Sequence, residues 1–189
     1  MRNVFGIFIF INIFTLHFLY SQDGLISNGD FEVREIAPWT VPPWVTDGIL
    51  PQIDRAVFKG PGSTSLKFTG EAGKRAFAMQ RIKLDPKMKK LKFGGWMKTE
   101  GMQNHWIASI TLECVVKNSG EESYKYFSLV TSWQLSMTPW TKYESIVEVP
   151  ENTQYVGIIL QTVSPDGKLE RSNTGTIWFD NIFLEEASE

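Results

Sequence analysis

Few residues in this chain are of the types that carry out covalent chemistry. Beyond the first 21 positions, His105 is the one histidine, and Cys114 is the one cysteine of the whole chain. A multi-histidine zinc site is therefore out of reach, and a Ser–His–Asp arrangement would hang on His105 alone, beside Trp106. Cys114 alternates with Leu112 and Val116 in a strand-like run, which reads as a small buried apolar residue rather than a nucleophile. Glycine loops of the kind that cradle phosphates do not occur. Paired carboxylates for glycoside hydrolysis depend on spatial rather than sequential spacing, so counting does not exclude them. An acidic strand cluster of the form Glu-x-Asp-x-x-Glu is absent, however. The nearest run, EVRE at 32–35, puts Glu32 and Glu35 on opposite strand faces. The expectation is a protein that binds rather than reacts.

Two other residues stand out by their surroundings. Asp180 interrupts the apolar stretch GTIWFDNIF at 175–183. A bare carboxylate there costs several kcal/mol, about 2 or more, unless it is hydrogen-bonded, paired or bound to a metal. Trp96 lies in LKFGGWMK, where Leu91, Phe93, Gly95 and Met97 alternate with Lys92, Gly94, Trp96 and Lys98. The first set belongs to a core and the second to an outer face. A large aromatic flanked by glycine has room above it for something flat to stack. The competing reading is that a loop covers it.

The elements that must position these residues are strands. TSLKFT (64–69), RAFAMQRIKL (75–84), KLKFGGWMKT (90–99) and HWIASITLECVVK (105–117) follow one another, then YKYFSLVTSW (124–133), WTKYESIVEV (140–149), QYVGIILQTV (154–163) and TIWFDNIFLE (176–185). They are rich in β-branched and aromatic residues and are separated by Gly, Pro, Asn and Asp clusters. With no helical periodicity between them, they predict an all-β, antiparallel sandwich. In 154–163, Val156, Ile158 and Leu160 share the core face, and Tyr155, Ile159 and Gln161 the other. The stretch 34–52 carries four prolines and two tryptophans and is expected to form a long loop over the sandwich.

Residues 1–21 have the layout of a secretory signal peptide: Arg2, an apolar run from Val4 to Tyr20, then Ser21. A permanent membrane anchor is the other reading, but Asn12, Thr15 and His17 dilute a run already short of the roughly 20 apolar residues that a spanning helix wants. The expected mature domain is 22–189, secreted and free of the membrane once the leader is removed. Of 19 basic and 21 acidic residues only Arg2 lies in the leader, which shifts the net charge from −2 to −3. Nothing there suits nucleic acid. With a single cysteine no internal disulfide can form, so the core must hold the fold.

Five segments together carry a resemblance: LISNGDFEV, GSTSLKFTG, LKFGGWMKTEG, PWTKYESIVEVPENT and GTIWFDNIFLEE. In order and spacing the chain resembles carbohydrate-binding modules of the family 4, 9 and 22 type, which are galactose-binding-like jelly-roll β-sandwiches. The resemblance implies a non-catalytic module that binds polysaccharide or glycan chains in a cleft on one sheet. It implies ligand contacts at Trp96, Arg75 and Gln161, with Phe77 and Tyr126 as neighbours. It also implies a structural calcium held by Glu32, Asp180 and main-chain oxygens of 58–63, with Asp30 a less certain third carboxylate. Calcium takes six to eight oxygen ligands, so such a mixed shell suits it. The other reading of Glu32 and Asp180 is hydrogen bonding to main-chain amides at a strand bulge. Asn28 and Asn181 fit turns and bulges better than metal. The pattern departs from the family at Gln161, where an acid is frequent, at Ile159, where an aromatic is frequent, and over 100–138, which matches poorly. Trp44, Trp140 and Trp178 read as packing residues, while Trp39, Trp106 and Trp133 stay undecided. Two other functions remain: an extracellular protein-interaction sandwich, and a small jelly-roll polysaccharide hydrolase or lyase.

Overall fold

The computed structural model describes residues 24–187 except 34, 61, 72, 104–105, 133 and 164–173. The leader read at 1–21, His105 and Trp133 lie outside the described residues. Among those described there is no helix long and apolar enough to cross a membrane.

The described chain forms ten strands: β1 Gly48–Ile49, β2 Gln52–Asp54, β3 Ser65–Thr69, β4 Arg75–Lys83, β5 Lys90–Glu100, β6 Ile107–Asn118, β7 Glu121–Val130, β8 Thr138–Glu148, β9 Thr153–Val163 and β10 Thr176–Glu186. They make two five-stranded sheets, ordered β1-β4-β9-β6-β7 and β2-β3-β10-β5-β8. All pairings are antiparallel except the short β1–β4 contact. The antiparallel sandwich expected from alternation is present, and eight of its strands lie where the apolar alternation placed them. The two extra strands, β1 and β2, fall in and just beyond the Pro-rich stretch.

Strict alternation puts one face of each sheet into a shared core. Leu91, Phe93 and Met97 of β5 meet Val156, Ile158 and Leu160 of β9, and Ile110, Leu112 and Cys114 of β6 from the other sheet. Leu66, Leu91 and Phe179 have no exposed surface, and burying each such side chain stabilises by about 2 kcal/mol. Phe68 and Phe179 meet edge to face at 6.2 Å. Cys114 sits in this core with its thiol pushed up to about 11 by burial and by Glu113, so it is an inert packing residue.

β10 changes its facing part-way. Ile177 and Phe179 point into the core, and so do Ile182 and Leu184, two sets that strict period two would put on opposite faces. The pairing with β5 shifts between Asp180 and Phe183, and Asn181 takes a positive φ of 48°. This bulge restores the inward facing and leaves Asp180 at the joint. Before the bulge β10 pairs with β3. Past it, the N-terminal segment lies alongside instead, with Ile182 N–H donating to Gly29 O at 2.8 Å and Leu25 N–H to Leu184 O at 2.7 Å.

Candidate functional site

The outer face of the β1-β4-β9-β6-β7 sheet is built in rows across its strands. Phe77, Gln161, Ser109 and Val130 form one row, Met79, Ile159, Thr111 and Ser128 the next, and Arg81, Gly157, Glu113 and Tyr126 the third. A second, smaller apolar cluster sits on this face: Val45 and Val41, from the Pro-rich stretch, pack on Phe77, Met79 and Ile159. That cluster and the Thr40–Met79 bridge pin the loop along β4. The loop then holds Trp44 out over the sheet with 63% of its surface exposed.

Between Trp44 on one side and Tyr126 on the other lies a cavity of about 420 Å³. Arg75, Phe77, Thr111, Glu113, Ser128, Ile159 and Gln161 are among its lining residues. Two hydroxyls lie along its floor, Thr111 Oγ1 and Ser128 Oγ, 2.9 Å apart, and the buried Ser109 Oγ backs Thr111 Oγ1 at 2.8 Å. Gln161 Nε2 donates to Thr111 Oγ1 at 3.4 Å, a weak tether that leaves the amide available to a ligand. At one end the Arg75 guanidinium lies 5.4 Å from the Phe77 ring centroid, with Asp47 Oδ1 3.4 Å from its Nε. At the other end Arg81 reaches across β9 to Glu113, with Nη2 and Nε 2.5 and 3.0 Å from Oε1. Gly157 permits this crossing, because a Cβ there would lie 3.4 Å from Arg81 Cβ and 3.0 Å from Gln80 O. Burial, with the Glu113 carboxylate beside it, pushes the Tyr126 phenol up, so it stays a neutral hydrogen-bonding aromatic. Tyr124 stacks on Tyr126 at 6.4 Å and extends that wall. Aromatic faces flanking hydroxyls, an amide and a guanidinium suit a ligand with apolar C–H faces and many hydroxyls.

A second cluster lies at the β10 bulge, on the other sheet. Asp180 is 1% exposed. Its carboxylate accepts the Lys59 N–H at 2.6 Å and the Asn181 N–H at 2.7 Å. Burial pushes it up to about 7, and the negative charges of Glu32 and Asp30 add to the rise. Glu32 is different. Although burial opposes it, Ser63 and Thr64 hold its carboxyl below the usual range, donating N–H and O–H groups at 2.6 to 2.9 Å. Among the described residues no three His, Cys, Asp or Glu side chains group to hold a metal. A cation here would rest on Asp180, Glu32 and main-chain oxygens of 58–63, a segment whose residue 61 is outside the described residues. Glu32 is already well bonded; Asp180, buried near two like charges, is the group a cation would relieve. Asn28 serves the backbone, and Asn181 divides its amide between the backbone and the Asp180 carboxylate, to which its Nδ2 donates at 3.1 Å. Asn28 Nδ2 donates to Glu35 O and Ala37 O, and Asn181 Nδ2 donates to Lys59 O.

No family model matches the chain. Among curated proteins it is 28% identical over 155 residues to the uncharacterized HTH-type transcriptional regulator YbfP of Bacillus subtilis strain 168, a match covering 77% of this chain and 48% of that protein. The chain thus spans about half the length of the curated relative it matches. Among solved structures it is similar to a family 16 carbohydrate-binding module, with TM-score 0.63 and 22% identity over 86% of this chain and all of that one. It also resembles the CBM22-1 xylan-binding domain of Paenibacillus barcinonensis Xyn10C, with TM-score 0.54 and 14% identity over 85% of this chain and 94% of that one. A third likeness is to 22% of the enzymatically active domain of the bacteriophage CBA120 tailspike protein 4, with TM-score 0.63 and 18% identity over 87% of this chain. The fold is that of a carbohydrate-binding module.

In this module-like sandwich Arg75, Phe77, Tyr126 and Gln161 meet in one cavity. Trp96 does not join them. It stands on β5, in the opposite sheet, and is half-buried with Lys59 Nζ 4.6 Å from its ring centroid. The space expected beside it is filled, since a Cβ on Gly94 would run into the Tyr143 carbonyl and the Glu144 backbone. Alternation points Trp96 outward correctly, but outward on the wrong sheet for the groove. Trp44 is the reverse case: read as packing, it is exposed at the groove wall. A loop tryptophan between two prolines and a valine has no period to reveal its direction. Trp178 is buried on the outer face of its sheet, donating Nε1–H to Asp54 at 2.9 Å. Trp39 and Trp106 are buried, and Trp39 donates its Nε1–H to Asn28 O at 2.9 Å.

Proposed function

We propose that this chain is a secreted, non-catalytic module that binds polysaccharide or glycan chains in the groove between Trp44 and Tyr126. One observation carries the reading: an exposed aromatic on each side of a cavity floored by hydroxyls, with Gln161 and the Arg75 guanidinium at one end. Sugar rings offer apolar faces to such aromatics and hydroxyls to such planar polar groups. The xylan-binding and other carbohydrate-binding modules with this fold lend it support. Among the described residues Glu113 is the one carboxylate lining the cavity, and Arg81 holds it, which favours binding over acid–base hydrolysis. The leader-like 1–21 supports secretion. A structural calcium at Asp180 and Glu32 belongs to the same proposal, supported by the buried Asp180 carboxyl, pushed up by burial and by the charges of Glu32 and Asp30, and by the oxygen-rich corner around it.

Affinity electrophoresis of residues 22–189 through gels containing xylan, β-glucan, galactan or mannan tests the function. Retardation by at least one polysaccharide is expected, with no release of reducing sugar. Free migration through every gel, or release of reducing ends, would overturn it.

A further inference from the structure

The third row of the outer face is linked by polar contacts across four strands. Its residues are Arg81 on β4, Gly157 on β9, Glu113 on β6 and Tyr126 on β7. Glu113 is 5% exposed, and both bonds from Arg81 end on the same oxygen, Oε1. Tyr126 is its direct partner across the β6–β7 ladder, with the phenol in hydrogen-bonding reach of the carboxylate. As a source of stability such a pair is weak. Taking two charges out of water offsets most of their attraction, and apolar residues of like volume often serve as well. The crossing also depends on Gly157, a residue type that weakens strand interiors.

Resting on the glycan-binding reading above, we propose that Glu113 is a positioning residue of the groove. Anchored from behind by Arg81, it holds the Tyr126 phenol and so fixes that ring as a preformed wall opposite Trp44. The wall needs such a tether. β7 is the last strand of its sheet, so no further strand flanks Tyr126, which is 56% exposed and stacked only against Tyr124. An aromatic side chain left free to turn must be ordered each time a ring docks on it, which lowers affinity. The planar fork of Arg81 gives the carboxylate one orientation, and a protonated phenol donating to it keeps its own oxygen able to accept from a ligand hydroxyl.

A double-mutant cycle tests the assignment, read by affinity electrophoresis on a polysaccharide that retards the wild type. Arg81→Met with Glu113→Leu replaces the pair by apolar side chains, and circular dichroism reports on the fold. Affinity should fall about fivefold, the effect of ordering one more side chain on binding. Tyr126→Phe keeps the ring, frees it from the carboxylate, and should lose at least as much. Added to Tyr126→Phe, the pair variant should cost nothing further, because both changes break the same link. Glu113→Gln, which keeps the volume and loosens Arg81, takes the place of the apolar pair in the cycle if that pair does not fold. Unchanged affinity in any of these variants when folded would overturn the positioning role. Losses that add would overturn it too, since Glu113 would then act on the glycan itself. Both outcomes leave the groove standing, whereas a wild type that no polysaccharide retards would overturn both readings.

Discussion

The two outer faces of this sandwich carry similar aromatic residues and treat them differently. On the β2-β3-β10-β5-β8 sheet, lysines lie over the rings: Lys59 on Trp96, Lys98 and Lys67 on Trp178, and Lys92 and Lys142 beside Phe183, at 4.2 to 5.8 Å from the centroids. The charges of Lys67, Lys92, Lys98 and Lys142 are answered in turn by Asp54, Glu100, Glu144 and Glu185. That face is closed by its own side chains. On the opposite sheet a loop stands Trp44 away from the floor, and Tyr126 is 56% exposed across from it. An aromatic residue becomes a platform when the chain holds a wall away from it, and becomes packing when a flexible neighbour folds over it. Residue type and facing alone do not separate the two.

The largest effect should come from exchanging tryptophans between these faces. Trp44→Ala should cost about 2 kcal/mol or more of binding, roughly thirtyfold in affinity, on whichever polysaccharide retards the wild type. Trp96→Ala should leave that affinity within about twofold, a change worth only a few tenths of a kcal/mol. Gel retardation of the two variants side by side decides it; the opposite ranking would return the binding site to the lysine-covered sheet.

Next in size is the bulge on the closed side. Asp180 titrates near 7 in the native chain against 3.8 for a free side chain. In the absence of a cation the native state therefore binds the extra proton, and stability from this group falls as pH rises from about 4 to about 7. In EDTA, Asp180→Asn should flatten that decline, while melting lower overall because its Nδ2 must face one of the two main-chain N–H donors that the carboxylate accepts. Millimolar calcium should raise the melting temperature of the wild type and leave that of Asp180→Asn unmoved, because only the aspartate binds the ion and gains stability from it. Wild-type melting curves that coincide in EDTA and in calcium at pH 8 would remove the metal from this corner.

Smaller changes sharpen the contrast. Gln161→Ala should weaken glycan binding by about 0.5–1.5 kcal/mol, since water replaces part of what the amide donates. Smallest of all, Lys59→Ala should uncover Trp96 at a cost of about 0.5–1 kcal/mol in urea denaturation. New glycan affinity appearing in Lys59→Ala would show that the covering lysine, rather than sheet position, is what keeps that face from binding.

The strands were legible because alternation is local. Leu91, Phe93 and Met97, or Val156, Ile158 and Leu160, declare their facing without reference to any other segment. Which sheet a strand joins is not local, and this is why likeness of sequence order sets Trp96 beside Gln161 although β5 and β9 lie in different layers. Arg75, Phe77, Tyr126 and Gln161 come from β4, β7 and β9, three strands of one sheet, so a likeness of sequence order could bring them together. β1 and β2 are two and three residues long, too short for any period to show. Trp44 sits where Val41 and Val45 anchor a loop, a contact that exists only once β4 and β9 supply Phe77, Met79 and Ile159. The sequence posed the question of Asp180 plainly. Part of the answer lay far off, in the Lys59 amide 121 positions earlier.

The single residue inserted at Asn181 has a consequence for how this domain can be altered. It works as a joint between two halves of the central strand, both of which pair with β5 along one edge and differ in their neighbour along the other. The half before it answers to β3, and the half after it answers to the N-terminal segment that replaces β3 as neighbour. Side chains can therefore be exchanged in one half without resetting the other, whereas a change in chain length on either side of the joint would turn a whole half inside out. A substitution here costs what its own side chain contributed, whereas a deletion resets the facing of every residue beyond it.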